Sequence, residues 1–236
     1  MQEILKYMRK AVEDFNMIQE GDKIAIGLSG GKDSTTLLCV FDRFRKFYPK
    51  KFDLVAITID PGFESFDTTY LQEKCKELNI PYIVKESHIK EIVFDIRDEK
   101  NPCSLCANLR RGILNSTAKE LGCNKIALGH HREDLVETFF LNFLYTGNIS
   151  TFAPVTYMDK MELYLIRPFI YTLEKDIKTF IKKNNIPVLP KCCSMDGHSK
   201  REDMKELINS LSKSIPNVKA NMFGAIQRSN IKGWKK

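Results

Sequence analysis

Ser29-Gly30-Gly31-Lys32-Asp33-Ser34 follows an apolar, partly β-branched run, Ile24-Ala25-Ile26-Gly27-Leu28, and precedes a helical pattern. A strand that turns through glycines into a helix aims free backbone N–H groups, and the positive end of the helix dipole, at one point where an anion can sit. The adjacent glycines let the backbone approach a phosphate closely, Ser29 and Ser34 bring hydroxyl donors, and Lys32 brings charge. The loop is not of the Walker type, because three residues rather than four separate Gly27 from Gly31 and Asp33 stands where Ser or Thr is required. Leu128-Gly129-His130-His131-Arg132-Glu133-Asp134 is dense in imidazole and carboxylate groups, and taken alone it reads as a pair of hydrogen-bonded core histidines. Cys103 and Cys106 supply two thiols, short of the four ligands of a closed zinc site, or else a redox dithiol. They need a partner, and Cys192-Cys193 lies just before a basic helical stretch. Arg110 and Arg111, on the helix after the first cysteine pair, suit a phosphate, a cluster's negative charge or a solvated face.

These groups need a frame to position them. Ile4, Met8, Ala11, Phe15 and Ile18 recur at helical spacing and predict an amphipathic first helix closed by Glu20-Gly21-Asp22. Short apolar runs predict strands at 23–28, 54–59, 82–84 and 126–128, with helices between them at 34–47, 68–78, 107–121 and 134–145. Such alternation implies an α/β fold, a parallel sheet with helices on both faces. Asp60 then falls at the carboxyl end of the second strand, where ligands approach an open sheet; an ordinary loop acid is the alternative. After Gly147-Asn148 and Pro154 the texture changes: VTYM and LYLI are expected to pair as a hairpin around Asp159-Lys160. Helices at 173–184, 201–213 and 217–227 complete a small C-terminal helical part. The expected division is an α/β unit over 1–166 and a basic helical region over 167–236.

With 43% hydrophobic and 28% charged residues, the 236-residue chain can bury a sizeable core and is not a disordered tail. No apolar run approaches the roughly 18 residues that cross a bilayer, and MQEILKYMRK lacks the apolar segment of a signal peptide. Seven cysteines, two of them spaced Cys-x-x-Cys, fit metal or redox chemistry better than a disulfide framework, so a cytoplasmic location is expected. Cys39, Cys75 and Cys123 fall on apolar helix faces or at an element end and read as small hydrophobes. The net charge of +7 is uneven: residues 167–236 hold 15 Lys and Arg against 6 Asp and Glu, whereas residues 1–166 hold 22 against 24. A one-sided basic surface suits a polyanion such as nucleic acid, or is a solvated face.

The loop Ser29–Ser34 resembles the SGGxDS loop of the PP-loop ATP pyrophosphatases, which cleave ATP between the α and β phosphates and form an adenylated intermediate. Leu128–Asp134 is similar to the LGHHxDD segment after their fourth strand, with Glu133 in place of the first acidic residue. The resemblance implies that Ser29, Gly30, Gly31, Lys32, Asp33, Ser34, Asp60, Gly129, His131 and Asp134 contact ATP, and that an acid in the second segment helps hold Mg2+. Pro102–Gly112 is similar to the CSLCxxLRRG stretch of the tRNA 2-thiocytidine synthetases. Cys192-Cys193, with Arg201 eight positions after Cys193, resembles the third-cysteine segment of that family, and the likeness spans about residues 10 to 225. A [4Fe–4S] cluster held by Cys103, Cys106 and Cys193 is implied, with Cys192 as the alternative third ligand, leaving one iron open to sulfide. Two departures stand out. LPKCCSMDG replaces a pattern whose cysteine usually lies a few residues earlier, and the chain ends early for the family, so part of the tRNA-contacting tail is expected to be absent or the target to differ.

The implied function is an ATP-dependent tRNA sulfurtransferase that adenylates the C2 oxygen of an anticodon-loop cytidine and replaces it with sulfur. Lys32, Asp33, Cys103, Cys106 and Cys193 are the expected catalytic residues. Expected partners are tRNA, a sulfur donor (sulfide or a persulfide-carrying cysteine desulfurase) and, as an option, a second copy of the chain, with no membrane. A uridine-directed sulfurtransferase would share the chemistry, although the cysteine-rich zinc modules usual at the ends of that branch are missing from this sequence. An amide-forming PP-loop enzyme would leave Cys103, Cys106 and Cys193 without a task, and iron and acid-labile sulfide content would tell the two apart. A non-catalytic nucleic-acid-binding module would explain the basic C-terminal part but not the phosphate cradle, and ATP binding would separate it.

Overall fold

The aliphatic runs pair edge to edge: β1 (Asp22–Gly27), β2 (Phe52–Asp60), β3 (Tyr82–Glu86), β4 (Lys125–Ala127), β5 (Val155–Met158) and β6 (Leu163–Ile166) form one sheet in the order β3-β2-β1-β4-β6-β5. This is a computed structural model, and it describes residues 1–97, 102–190 and 200–234. Every neighbouring pair is parallel except β5 and β6, which form the expected antiparallel hairpin. The hairpin joins the main sheet through β6, which runs parallel to β4 with Ala127 opposite Ile166.

Side chains alternate across the sheet and so divide the core into two layers. Ile24, Ile26, Leu54 and Ala56 pack with α1 (Gln2–Asp14), α2 (Lys32–Arg45) and α6 (Glu174–Lys183) on one face. Ala25, Val55, Ile57 and Ile126 pack with α4 (Pro102–Glu120) on the other. The fold is therefore the expected α/β arrangement with helices on both faces. α3 (Thr69–Glu77) precedes β3, and α5 (Arg132–Thr146) follows β4. α6 packs on α2, whereas α7 (Lys200–Ser214) and α8 (Val218–Arg228) pack on α5. Among the described residues no helix is long and apolar enough to cross a membrane.

Two element boundaries differ from the expectation, each for a local reason. The first helix ends at Asp14 rather than running to Ile18, because Asn16 adopts a left-handed conformation (φ 48°). Met17 and Ile18 are buried from the connection instead. The helix expected at 107–121 begins at Pro102, since proline is favoured in a first helical turn where no amide partner is needed. Cys103 and Cys106 consequently lie on a helix, with a π-helical turn, Glu91–Ile96, shortly before it.

β1 and β4 are neighbours, but the chain leaves β1 toward β2 and β3 and returns to β4 on the opposite side. Such a reversal opens a crevice at the carboxyl ends of the strands, which is where ligands bind in open α/β sheets. The glycine-rich loop after β1 and the histidine loop after β4 border that crevice.

Candidate active site

The loop after β1 is held by its own hydroxyls. Ser34 Oγ accepts from the Ser29 amide at 3.1 Å, lies 3.1 Å from Ser29 Oγ and donates to the Gly31 carbonyl at 3.1 Å. Gly30 has φ 76°, a conformation that favours glycine, and α2 starts immediately after Gly31. Lys32 Nζ pairs with Asp33 Oδ2 at 2.8 Å and with Glu174 Oε1 at 3.3 Å. Burial works against the Lys32 ammonium, but the hydrogen bond to Asp33 and the charges of Asp33 and Glu174 outweigh it and raise its pKa. Asp33 Oδ1 is buried without a hydrogen bond and lies 3.7 Å from His131 Nε2.

The second loop presses against the first. A Cβ on Gly129 would lie 2.9 Å from the Asp33 carbonyl carbon and 3.1 Å from the Ser34 amide nitrogen, contacts that backbone cannot relieve by a rotamer change. Gly129→Ala is therefore expected to part the two loops and weaken ATP affinity by at least about tenfold, the effect of losing roughly 1.4 kcal/mol of binding. Calorimetric titration with ATP checks this, and unchanged affinity in a folded variant would contradict it.

His131, only 3% exposed, caps α5. Its amide donates to Asp134 Oδ2 at 2.9 Å, while its neutral Nδ1 accepts from the Asp134 amide at 3.4 Å or, once protonated, donates to Glu133 Oε2 at 3.3 Å. Burial opposes the His131 imidazolium, but Glu133, Asp134 and Asp33 together raise its pKa. His130 is different: burial and the charge of Arg167 push it down to about 4, so it is neutral, with its ring 5.1 Å from that of Phe152.

Glu133, the variant acid, accepts the Glu174 amide at 2.9 Å and so ties α5 to the first turn of α6. Asp134 Oδ1 meets Arg201 Nη1 at 3.3 Å. No group of three or more metal-ligating side chains stands ready among the described residues. Asp33 and Asp134 nonetheless fit Mg2+, which is commonly bound by one or two carboxylates together with substrate phosphates. Asp60 sits at the end of β2, with Oδ1 accepting the Gly62 amide at 2.8 Å, and among the described residues no hydrogen bond or ion pair joins its side chain to the first loop.

Cys103 and Cys106 occupy the first turn of α4, three residues apart and thus on one face. Cys103 is exposed and Cys106 half-buried. Leu114, on the same helix, lies against Gly27 at the mouth of the glycine loop: a Cβ there would be 3.1 Å from Leu114 Cδ2. α4 returns the chain to β4, so its first turn projects beyond the carboxyl edge of the sheet, the same edge that carries both loops. Cys192 and Cys193 lie outside the described residues, but both ends of their segment are placed. Leu189 donates its amide to the Gly30 carbonyl at 3.0 Å, and Arg201, at the start of α7, is the residue paired with Asp134. Cys75 and Cys123 are buried in the core clusters, and burial pushes the Cys75 thiol up to about 12.

Glu174 and Leu189 were not foreseen. Burial alone would raise the Glu174 carboxyl, but the Lys178 hydrogen bond and the charges of Lys32 and Lys205 bring it to about 2. A carboxylate at the start of a helix, four residues before a lysine, is the one local hint that Glu174 carries in the sequence.

Comparison with known proteins adds to this geometry. A PP-loop domain model matches residues 2–194. The chain is similar to a tRNA-cytidine(32) 2-sulfurtransferase of Syntrophotalea carbinolica, at 38% identity over 94% of this chain and 87% of that protein. It is also similar to a protein of the same name from Geobacter metallireducens, at 40% identity over 92% and 86%. Its fold is like that of the U34-tRNA thiolase NcsA from Methanococcus maripaludis, solved with its [4Fe-4S] cluster, with a TM-score of 0.75 at 23% identity, covering 94% of this chain and 77% of that one.

Proposed function

This chain belongs to the tRNA-cytidine(32) 2-sulfurtransferase family of PP-loop proteins, and from that premise we propose how its residues divide the reaction. The enzyme is an ATP-dependent tRNA sulfurtransferase that converts a cytidine of the anticodon loop to 2-thiocytidine. One observation carries the assignment of residues. The phosphate loop and the His131 loop each touch one end of the segment bearing Cys192 and Cys193, and α4, whose first turn bears Cys103 and Cys106, starts from the same edge of the sheet.

Cytosine's C2 is a poor electrophile, because direct displacement of its oxygen needs an oxide-like leaving group. Adenylation removes that obstacle: the carbonyl oxygen attacks the α phosphorus, the α–β bridge breaks and pyrophosphate leaves. The amides of Gly30 and Gly31 and the hydroxyls of Ser29 and Ser34 bind the pyrophosphate portion, exchanging the bonds the two serines now make to each other. Lys32 opposes the charge that develops on the departing oxygen. Asp33 and Asp134 would hold Mg2+ against the phosphates, while Gly129 and His131 keep the two loops in register and Asp60 borders the nucleotide. A sulfur nucleophile then attacks C2, and AMP departs with the original oxygen.

Cys103, Cys106 and Cys193 would hold a [4Fe–4S] cluster, Cys192 being the alternative third ligand; when bound, the cluster supplies an iron with an open coordination position for sulfide. A pair of thiols on one helical turn, one exposed and one half-buried, fits such a group at the rim of a cleft. The substrate base is single-stranded and easily splayed out. We assign tRNA contacts to the basic region 167–236, the α/β unit 1–166 to ATP, and the sulfur to sulfide or a persulfide-carrying desulfurase in the cytoplasm; a homodimer is compatible with this scheme. Uridine as target would use the same residues, and similarity at 38% and 40% identity to cytidine-directed relatives favours cytidine.

Mass spectrometry of nucleosides from cells lacking the protein is expected to show 2-thiocytidine lost and 2-thiouridine kept. Loss of a thiouridine instead would move the assignment to the uridine branch, and an unchanged nucleoside profile would overturn the reaction.

A further inference from the structure

Arg167 stands one residue beyond β6, at the carboxyl edge beside the His130 loop, and is only 7% exposed. Its Nη1 donates to the Ala153 carbonyl at 2.6 Å and to Thr156 Oγ1 at 3.3 Å, and its guanidinium lies over the Phe152 ring at 4.8 Å. Its Nε is buried without a hydrogen-bond partner, and among the described residues no carboxylate pairs with it. His130, on the same phenyl ring, likewise has a buried Nδ1 without a partner. A buried arginine with no counter-charge is costly unless something completes it.

The charge of a second arginine acts on it. Arg111 is exposed on α4, one turn before Asn115, whose side chain reaches Met158 in β5 at 3.5 Å, so this side of the helix faces the β5–β6 hairpin. Burial, and then the charge of Arg111, lower the Arg167 pKa to about 10. Arg167 reaches Thr156 of β5 and Arg111 stands one turn from the residue that reaches Met158 of β5, so both positive charges flank one strand, and a planar fork of donors suits a phosphate.

We propose that Arg167 and Arg111 form a phosphate subsite beside the PP-loop, separate from the pyrophosphate cradle, that holds one phosphate of the bound substrates. The source is a backbone phosphodiester of the tRNA or a phosphate of the nucleotide. The subsite lies between the His130 loop and the cysteine-bearing helix, so a phosphodiester held there would fix the RNA strand next to the reacting base. The choice of source rests on the sulfurtransferase reading above.

Full-length Arg111→Gln, Arg167→Gln and the double variant, each checked for folding by circular dichroism, test this by titration with tRNA over a salt series and with ATP. For an RNA phosphate, each single variant is expected to flatten the salt dependence by about one unit of slope. The double variant is expected to lose the same single unit, because both side chains hold one phosphate, and ATP affinity is unchanged. Loss of ATP affinity with the tRNA slope intact also supports the subsite and identifies the phosphate as the nucleotide's. Folded variants that keep both wild-type values would overturn the subsite. If Arg167→Gln does not fold, Arg111→Gln and Arg167→Lys carry the test. Wild-type protein that binds no tRNA would strike at the sulfurtransferase reading, whereas unchanged binding in the variants strikes only at the subsite.

Discussion

Asp33→Ala should lower tRNA-dependent release of AMP and pyrophosphate by about 10²–10³-fold, the loss typical of removing one preorganised electrostatic group from a reacting centre. In the proposed scheme the Asp33 side chain has two distinct tasks. Oδ2 orients the Lys32 ammonium at 2.8 Å, and Oδ1, buried without a hydrogen bond and 3.7 Å from His131 Nε2, would hold Mg2+. Removing the carboxylate releases Lys32 toward Glu174, 3.3 Å away, and withdraws its charge from the leaving group. Because the backbone contact between Gly129 and Asp33 is kept, the fold should survive. A pyrophosphate-release assay with chromatographic identification of the nucleotide product checks this. Activity within threefold of wild type would remove Asp33 from the mechanism, and stoichiometric ADP would exclude adenylation altogether.

Cys103→Ser and Cys106→Ser should each abolish 2-thiocytidine formation while leaving ATP affinity unchanged. The expected loss is at least the roughly 100-fold that disturbing a metal site's outer shell already costs. The two thiols stand on the first turn of α4, at the rim of the crevice, and make no part of the phosphate cradle. Cys75→Ala, in the core, is the control: it should lower stability without touching the chemistry. Iron and acid-labile sulfide measured in anaerobically prepared protein should fall with Cys103 and Cys106 and stay with Cys75. Loss of iron in Cys192→Ala but not in Cys193→Ala would exchange the third ligand and leave the mechanism standing. Zinc in place of iron in native anaerobic protein would end the sulfide-carrying scheme.

The sheet and its phosphate loop were legible because they are local. Ile24–Leu28 alternates toward two covered faces, and Gly30 with Gly31 marks the one turn where the backbone must bend into a helix. The first helix was read four residues too long because apolar spacing continues through Phe15 and Ile18, and spacing does not register that Asn16 turns left-handed. The cysteine helix was read five residues short, since Pro102 resembles a boundary in either direction: it can end a loop or open a helix.

Taken by itself, the sequence determined the chemistry on offer: a phosphate-binding turn, an imidazole-carboxylate loop, a helical pair of thiols and a basic C-terminal third. Each is a property of neighbouring residues, written in types and short spacings. Only the tertiary structure decided which of them act together. Leu189 lies over Gly30 although 159 positions separate them in the chain, Glu174 neutralises Lys32 from a helix that begins after the last strand, and Arg201 returns to Asp134. Arg167 becomes a buried cation with no carboxylate partner among the described residues because the hairpin folds it inward beside Phe152, and nothing in its immediate neighbours announces that. Burial and long-range pairing depend on how layers pack, and packing depends on residues distant along the chain, so these features arise only when the sheet has brought its carboxyl edge together.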